Sequence, residues 1–265
     1  GAQYSLANPR AHGSSGSMAP WCPASIEAKS SLARENPSAL SPDLAALEPP
    51  YTVSMRILAI DMGTGTQDIL VFDAAQQVEN SVKLVMPSAT EVAARRIRRA
   101  HAAGRKLVLT GTVAGGGPCS WALEDFLKAG GAAFATPEAA QTIDDDLDRV
   151  RELGVTLVSE DEAASIDGDR VVLQDLDIGA IRAALSAFEV PGDFDGFALG
   201  CLDHGAAPPD VSDRVFRFEH LRRVVEGRND LLAFATDASA LPHYLTRARA
   251  MCGSAAGQGP VVFMD

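Results

Sequence analysis

The stretch Met55–Asp73, MRILAIDMGTGTQDILVFD, constrains the fold more than any other. Two short apolar runs, Arg56–Ile60 and Ile69–Phe72, flank a tight Gly/Thr turn with an aspartate on each side. Runs of this length around glycines read as an antiparallel hairpin. Gln77–Met86 follows as a third strand, with Val78, Val82, Leu84 and Met86 sharing one parity. A meander of three strands therefore opens the ordered part of the chain.

Helical crossovers come next. Ser88 opens a helix with Glu91 placed for a capping box, and Gly104 closes it. Val92 and Ile97 supply its inner face, and Arg95, Arg96, Arg98 and Arg99 read as a solvated face. Lys106–Thr110 is a strand, followed by the glycine-rich loop Gly111–Pro118. Pro118 suits the first turn of the next helix. Ala132–Ala135 is a strand, Pro137–Gly154 a helix capped by Thr136, and Val155–Ser159 a strand. The order βββαβαβα predicts an α/β fold with a mixed sheet and helices packed on it. Beyond it, residues 160–190 read as a hairpin turned at Asp167-Gly168, then a helix from Ile178 to Phe188. Phe197–Leu202 reads as a buried strand. After the loop DHGAAPPDVSDR come a helix to Gly227, a strand at Leu231–Ala235, a helix at Ser239–Met251 and a last strand at Val261–Asp265.

Residues 1–54 differ from the rest. They hold seven prolines and ten serines with no sustained period, a composition that buries too little apolar surface to offset chain entropy. They are expected to form a disordered extension, with Met55 as a candidate natural start and residues 55–265 as the folded domain.

Composition narrows the function classes. A net charge of -12 disfavours broad contact with nucleic acid, which requires a basic surface. No apolar run approaches the roughly 18 residues that span a bilayer. The four cysteines, Cys22, Cys119, Cys201 and Cys252, are scattered, which argues against a disulfide framework and for the cytoplasm. A nucleotide or other small phosphorylated ligand remains compatible with an acidic chain, because a few backbone N–H groups and a cation suffice locally.

The candidate site residues follow from the same segments. Gly63 and Gly65 let backbone amides approach a phosphate, and Thr64 and Thr66 add hydroxyls. Asp61, at the strand end, would hold Mg²⁺ through water. Gly115, Gly116 and Gly117 either present amides to an anion or form a plain βα turn. Asp203 and His204 are either an acid/base pair, with His204 catalytic, or loop-stabilising residues. Asp144-Asp145-Asp146 is expected to lie mid-helix and be solvated, and His220 and His243 to be structural.

The segment Leu58-Ala59-Ile60-Asp61-Met62-Gly63-Thr64-Gly65-Thr66 resembles the first phosphate loop of the actin-like ATPase superfamily, which has a ribonuclease H-like fold. The strand order over about residues 55–160 is similar to one subdomain of that fold. The resemblance implies ATP and Mg²⁺ as ligands, ATP hydrolysis or phosphoryl transfer as the activity, and Asp61 as catalytic. It also implies that Val261–Asp265 is the first strand of a second subdomain, with Asp265 near the metal. On that expectation the chain is a C-terminally truncated fragment, and the adenosine pocket lies in the missing wall. Many members place a basic residue shortly after the loop; here Gln67 and Asp68 stand there, which weighs for a non-catalytic anion-sensing or partner-docking module. The stretches Leu58–Asp73, Thr110–Pro118 and Asp203–Leu221 resemble more closely one family of unknown function within the superfamily, labelled as a pyruvate formate-lyase activating protein. Glycyl-radical activation uses a CxxxCxxC triad around an iron–sulfur cluster. That spacing is absent, so no cluster is expected.

Overall fold

The computed structural model describes residues 55–265 apart from residue 209; the extension expected at 1–54 lies outside the described residues. The hairpin forms as the alternation requires. Strands β1 (Arg56–Met62) and β2 (Thr66–Asp73) pair antiparallel, with Ile60 opposite Ile69 and Asp61 opposite Asp68. The third strand is shorter than expected. Val78–Asn80 forms a 3₁₀ turn, and β3 (Val82–Pro87) then pairs with β2.

Helix α1 (Ala89–Ala102) starts where Ser88 accepts the Glu91 amide at 3.4 Å, and buries Ala93, Ala94, Ile97 and Ala100. Its arginines 95, 96, 98 and 99 are exposed, as their spacing indicated. The chain continues through β4 (Leu107–Gly111), α2 (Pro118–Lys128), β5 (Ala133–Ala135), α3 (Pro137–Ala140), α4 (Leu147–Glu152), β6 (Val155–Leu157), α5 (Glu160–Ser165), β7 (Asp169–Leu173) and α6 (Ile178–Ser186). It ends with β8 (Gly196–Cys201), α7 (Asp213–Gly227), β9 (Ala235–Asp237), α8 (Thr246–Gly253) and β10 (Val261–Met264).

The fold is α/β, but the βββαβαβα run does not build one sheet. A mixed sheet has the order β3-β2-β1-β8-β10-β9, and a separate parallel sheet has the order β6-β5-β4-β7. The strands expected to extend the meander thus make a sheet of their own. The reason is visible in α1, whose buried face joins Leu107, Leu109, Leu123 and Phe126 in one core. The meander packs its buried Leu58, Ile60 and Met62 in another core, with Phe197, Leu199, Met251 and Phe263. Strand β8 returns to pair parallel with β1, and β10 pairs parallel with β8.

Four sequence expectations change. The hairpin at 160–190 is instead α5 followed by β7, which runs parallel to β4. A capping box between Ser159 and Glu162 starts α5, and an intervening helix permits a parallel return that a tight turn does not. The helix expected over 137–154 is broken at 141–146, where Asp146 caps α4 by accepting the Asp148 amide. Leu231–Phe234 is a 3₁₀ turn and the strand begins at Ala235. The helix expected over 239–251 is confined to Thr246–Gly253.

Candidate functional site

The hairpin turn is tied to the start of α1. The Gly63 amide donates to the Thr66 carbonyl at 2.9 Å. The Ser88 hydroxyl donates to the Thr64 carbonyl at 2.7 Å, and the Ser88 amide to the Gly65 carbonyl at 3.1 Å. Thr64 is therefore held beside a helix N-terminus, where partial positive charge gathers.

The glycine loop after β4 arrives at the same place. Thr90, in the first turn of α1, donates to the Gly116 carbonyl and accepts the Cys119 amide at 3.0 Å. Gly117 has φ +52, a left-handed value that favours glycine, and a methyl group there would sit 3.1 Å from the Thr64 Cγ2. At Gly116 an added methyl would lie 2.9 Å from the Ser120 hydroxyl and 3.1 Å from the Thr142 carbonyl. The two glycine turns thus touch, at the N-termini of α1 and α2. Among the described residues, the amides of Thr64, Gly116 and Gly117 donate to no protein acceptor.

Other amides of the loop are occupied. Ala114 donates to the Thr142 hydroxyl at 3.0 Å, and Gly115 to Asp175 Oδ1 at 3.0 Å. Asp175, fully buried, also receives Arg247 Nε at 2.6 Å and Nη2 at 3.0 Å. Arg247 Nη1 donates to the Leu202 carbonyl at 2.6 Å. The loop after β7 and the start of α8 are joined by this ion pair directly under the glycine loop.

Together these elements line a cleft of about 1160 Å³. It holds Gly63, Thr64, Gly115, Gly116, Gly117 and His204 of the expected site residues. On the parallel-sheet side the cleft is lined by the loop after the C-terminal end of β4 and by residues 141–146, which follow α3.

The cleft lining also carries a group of aspartates, with Arg149 paired to Asp144 and Asp146 at 3.7 Å. The break after α3 brings Asp144, Asp145 and Asp146 to it, rather than leaving them on a helix face, and Asp213 joins them. Desolvation, together with Asp203, Asp144 and Asp213, raises the Asp145 pKa above the usual aspartate value, while His204 works to lower it. Asp203 and His204 do not form a bonded pair among the described residues. Asp203 is buried and accepts the Gly205 amide at 2.8 Å and the Ala248 amide at 2.9 Å, the latter in the first turn of α8. His204 is exposed to the cleft.

The remaining expected residues lie elsewhere. Gly65 and Thr66 are not among the cleft lining. Asp61 alternates away from the buried Ile60 and Met62 and faces a second hollow with Asp68, Arg217 and Asp265. The Asp265 side chain is buried, and its carboxylate receives Arg217 and, at 3.1 Å, His220 Nε2. His220 Nδ1 is 2.8 Å from the Tyr244 hydroxyl, a structural role in line with its sequence reading. Among the described residues no cluster of three or more His, Cys, Asp or Glu is arranged to hold a metal ion. Mg²⁺ requires fewer, since it keeps several waters and binds through one or two carboxylates plus phosphate oxygens.

Sequence reasoning missed Thr90, Asp175 and Arg247. Only Thr90 carried a local signal, as a hydroxyl in the first turn of a capped helix. Asp175 and Arg247 are 72 residues apart.

The described cysteines are single and buried. Cys119 belongs to the parallel-sheet core, and Cys201 and Cys252 to the other. Burial pushes the Cys119 thiol up to about 12 and the Cys252 thiol up to about 11. No helix among the described residues is long and apolar enough to cross a membrane.

A family model described as "Putative pyruvate format-lyase activating enzyme (DUF1786)" matches residues 114–265, more than half of the chain. No curated protein matches it.

Proposed function

The chain belongs to this family, and we propose that its cleft binds the phosphates of a nucleotide together with Mg²⁺, for ATP hydrolysis or phosphoryl transfer. The carrying observation is the closeness of Thr64 to Gly117, which sets two glycine turns and two helix N-termini around amides that have no protein acceptor among the described residues. Such amides suit a phosphate, whose charge the helix ends favour. The likeness of Leu58–Thr66 to an actin-like phosphate loop supports the same reading, although β10, which the resemblance would put at the start of a second subdomain, pairs with β8 in the meander's own sheet.

The residues present fit such a ligand. Thr64, Gly116 and Gly117 would hold phosphate oxygens. Asp145 and Asp213, which also line the cleft, would hold Mg²⁺ through water, in the role first assigned to Asp61. When bound, Mg²⁺ neutralises phosphate charge and relieves its repulsion from the carboxylates. Among the described residues of the cleft His204 supplies the imidazole, and it would accept a proton from an attacking water or hydroxyl at a ring nitrogen. Asp203, tied to backbone amides, holds the loop that carries it. The test is phosphate release from Mg-ATP by the full chain, with and without His204→Gln. Turnover above background that falls at least tenfold in the variant supports an enzyme.

A second reading is a binding module without turnover. It is favoured by Gln67, whose side-chain amide donates to the Pro87 carbonyl at 2.9 Å, and by Asp68, which faces the other hollow. Neither offers a cation to a transferred phosphoryl group. Binding without phosphate release would establish it. The family's description suggests a third activity, activation of a glycyl-radical enzyme. The described cysteines do not fit the three-thiolate cluster of that chemistry, because they are divided between two cores, Cys119 in one and Cys201 and Cys252 in the other, with raised thiol pKa values.

A further inference from the structure

The outward face of α2 carries Trp121, Glu124, Asp125 and Lys128, all exposed. Three are polar. Trp121 is 61% exposed and is the exception. A single exposed apolar side chain is ordinary on a protein surface, so exposure alone says nothing. Position is what separates Trp121. It stands in the first turn of α2, and its backbone amide donates to the Gly117 carbonyl at 3.1 Å. Its side chain lines the same cleft as Thr64, Gly116 and Gly117. The indole N–H has no hydrogen-bond partner among the described residues. A large flat ring is therefore presented to solvent one helical turn from the unpartnered amides, in a cleft whose lining also includes Ile143 and Val211.

We infer that Trp121 is the base platform of the cleft: a nucleoside phosphate lies with its phosphates on the amides of Gly116 and Gly117 and its base stacked on the indole. Aromatic stacking of this kind tolerates any base, since every base has a π face. A cleft of about 1160 Å³ has room for such a ligand; sites for ligands of that size run from about 300 to 1,000 Å³. The inference rests on the phosphate reading and departs from the resemblance, which would place adenosine in a second subdomain. Here the base site is supplied by this chain.

The chain has two tryptophans, Trp21 and Trp121. In a full-length Trp21→Phe chain the fluorescence reports Trp121 alone. Titration with Mg-ADP should quench it, whereas Mg-pyrophosphate, measured in parallel by calorimetry, should bind without comparable quenching. Trp121→Ala should weaken ADP about tenfold or more and leave pyrophosphate within twofold, and Trp121→Phe should restore most of the ADP affinity. Equal ADP affinity in Trp121→Ala, or ADP binding no tighter than pyrophosphate, would overturn the base platform while leaving the phosphate site standing. Absence of binding by both probes in the unsubstituted chain would overturn the platform and the phosphate reading together.

Discussion

Arg247 grips both carboxylate oxygens of Asp175, at 2.6 and 3.0 Å, and Asp175 at the same time accepts the Gly115 amide. The pair joins the loop after β7 to the first turn of α8, and so ties the parallel sheet to the mixed one beneath the glycine loop. Asp175 is fully buried. Arg247→Ala would leave that carboxylate without its counter-charge, which costs about 3–5 kcal/mol in sites of this kind. Arg247→Lys keeps the charge but loses the planar fork, and should fall between alanine and the native chain. Urea unfolding measures both. A loss below about 1 kcal/mol for alanine would show that the pair does not hold the loop.

Asp61 and Asp68 face each other directly across the β1–β2 ladder. Like charges in that position destabilise a hairpin by about 0.2–1 kcal/mol. Asp68→Asn should therefore stabilise the chain by an amount in that range at low salt. The gain should shrink in molar salt, because both side chains are exposed and screened. Denaturant midpoints at the two salt concentrations decide it, and destabilisation by Asp68→Asn would refute the repulsion.

Asp145 titrates above its ordinary value of 3.8 because the cleft desolvates it among other carboxylates. The folded state thus disfavours its charged form. The resulting penalty is fully present above the raised folded pKa and disappears as pH falls through it toward 3.8. Asp145→Asn should raise the thermal midpoint of the ligand-free chain at pH 7, with a gain that fades on acidification. A variant less stable than the native chain at pH 7 would contradict this account. Saturating Mg²⁺ with a phosphate ligand should cancel the gain, since the cation relieves the same repulsion.

The legible parts of the fold were those written in neighbouring residues. The hairpin followed from alternation around Gly63, α2 from Gly117-Pro118, and the end of α1 from Gly104 with its φ of +63. Sheet membership was not legible, because short runs such as Ala133–Ala135 suit any parallel sheet and only the buried face of α1 shows which core receives them. The Ser159–Glu162 box was readable, but Asp167-Gly168 offered a competing turn. The break at 141–146 has no proline or glycine; it arises where Asp146 bonds the backbone locally and Thr142 reaches the glycine loop. In the cleft, Gly63, Thr64, Gly115, Gly116, Gly117 and His204 were named from spacing. The turning of Asp61 to the other face of the sheet follows from strand parity, since Ile60 and Met62 are buried. The meeting of Asp175 with Arg247 depends on tertiary packing and left no local trace.

The central claim is that the Thr64–Gly117 contact builds a phosphate cradle. Calorimetric titration of the full chain with Mg-pyrophosphate, beside Gly117→Ala, tests it most directly. An alanine at φ +52 costs on the order of 1 kcal/mol in backbone strain and its methyl displaces Thr64. The account predicts saturable binding by the native chain and at least a tenfold loss in Gly117→Ala, with the variant still folded by circular dichroism. No binding by the native chain, or equal binding by a folded Gly117→Ala, would contradict it.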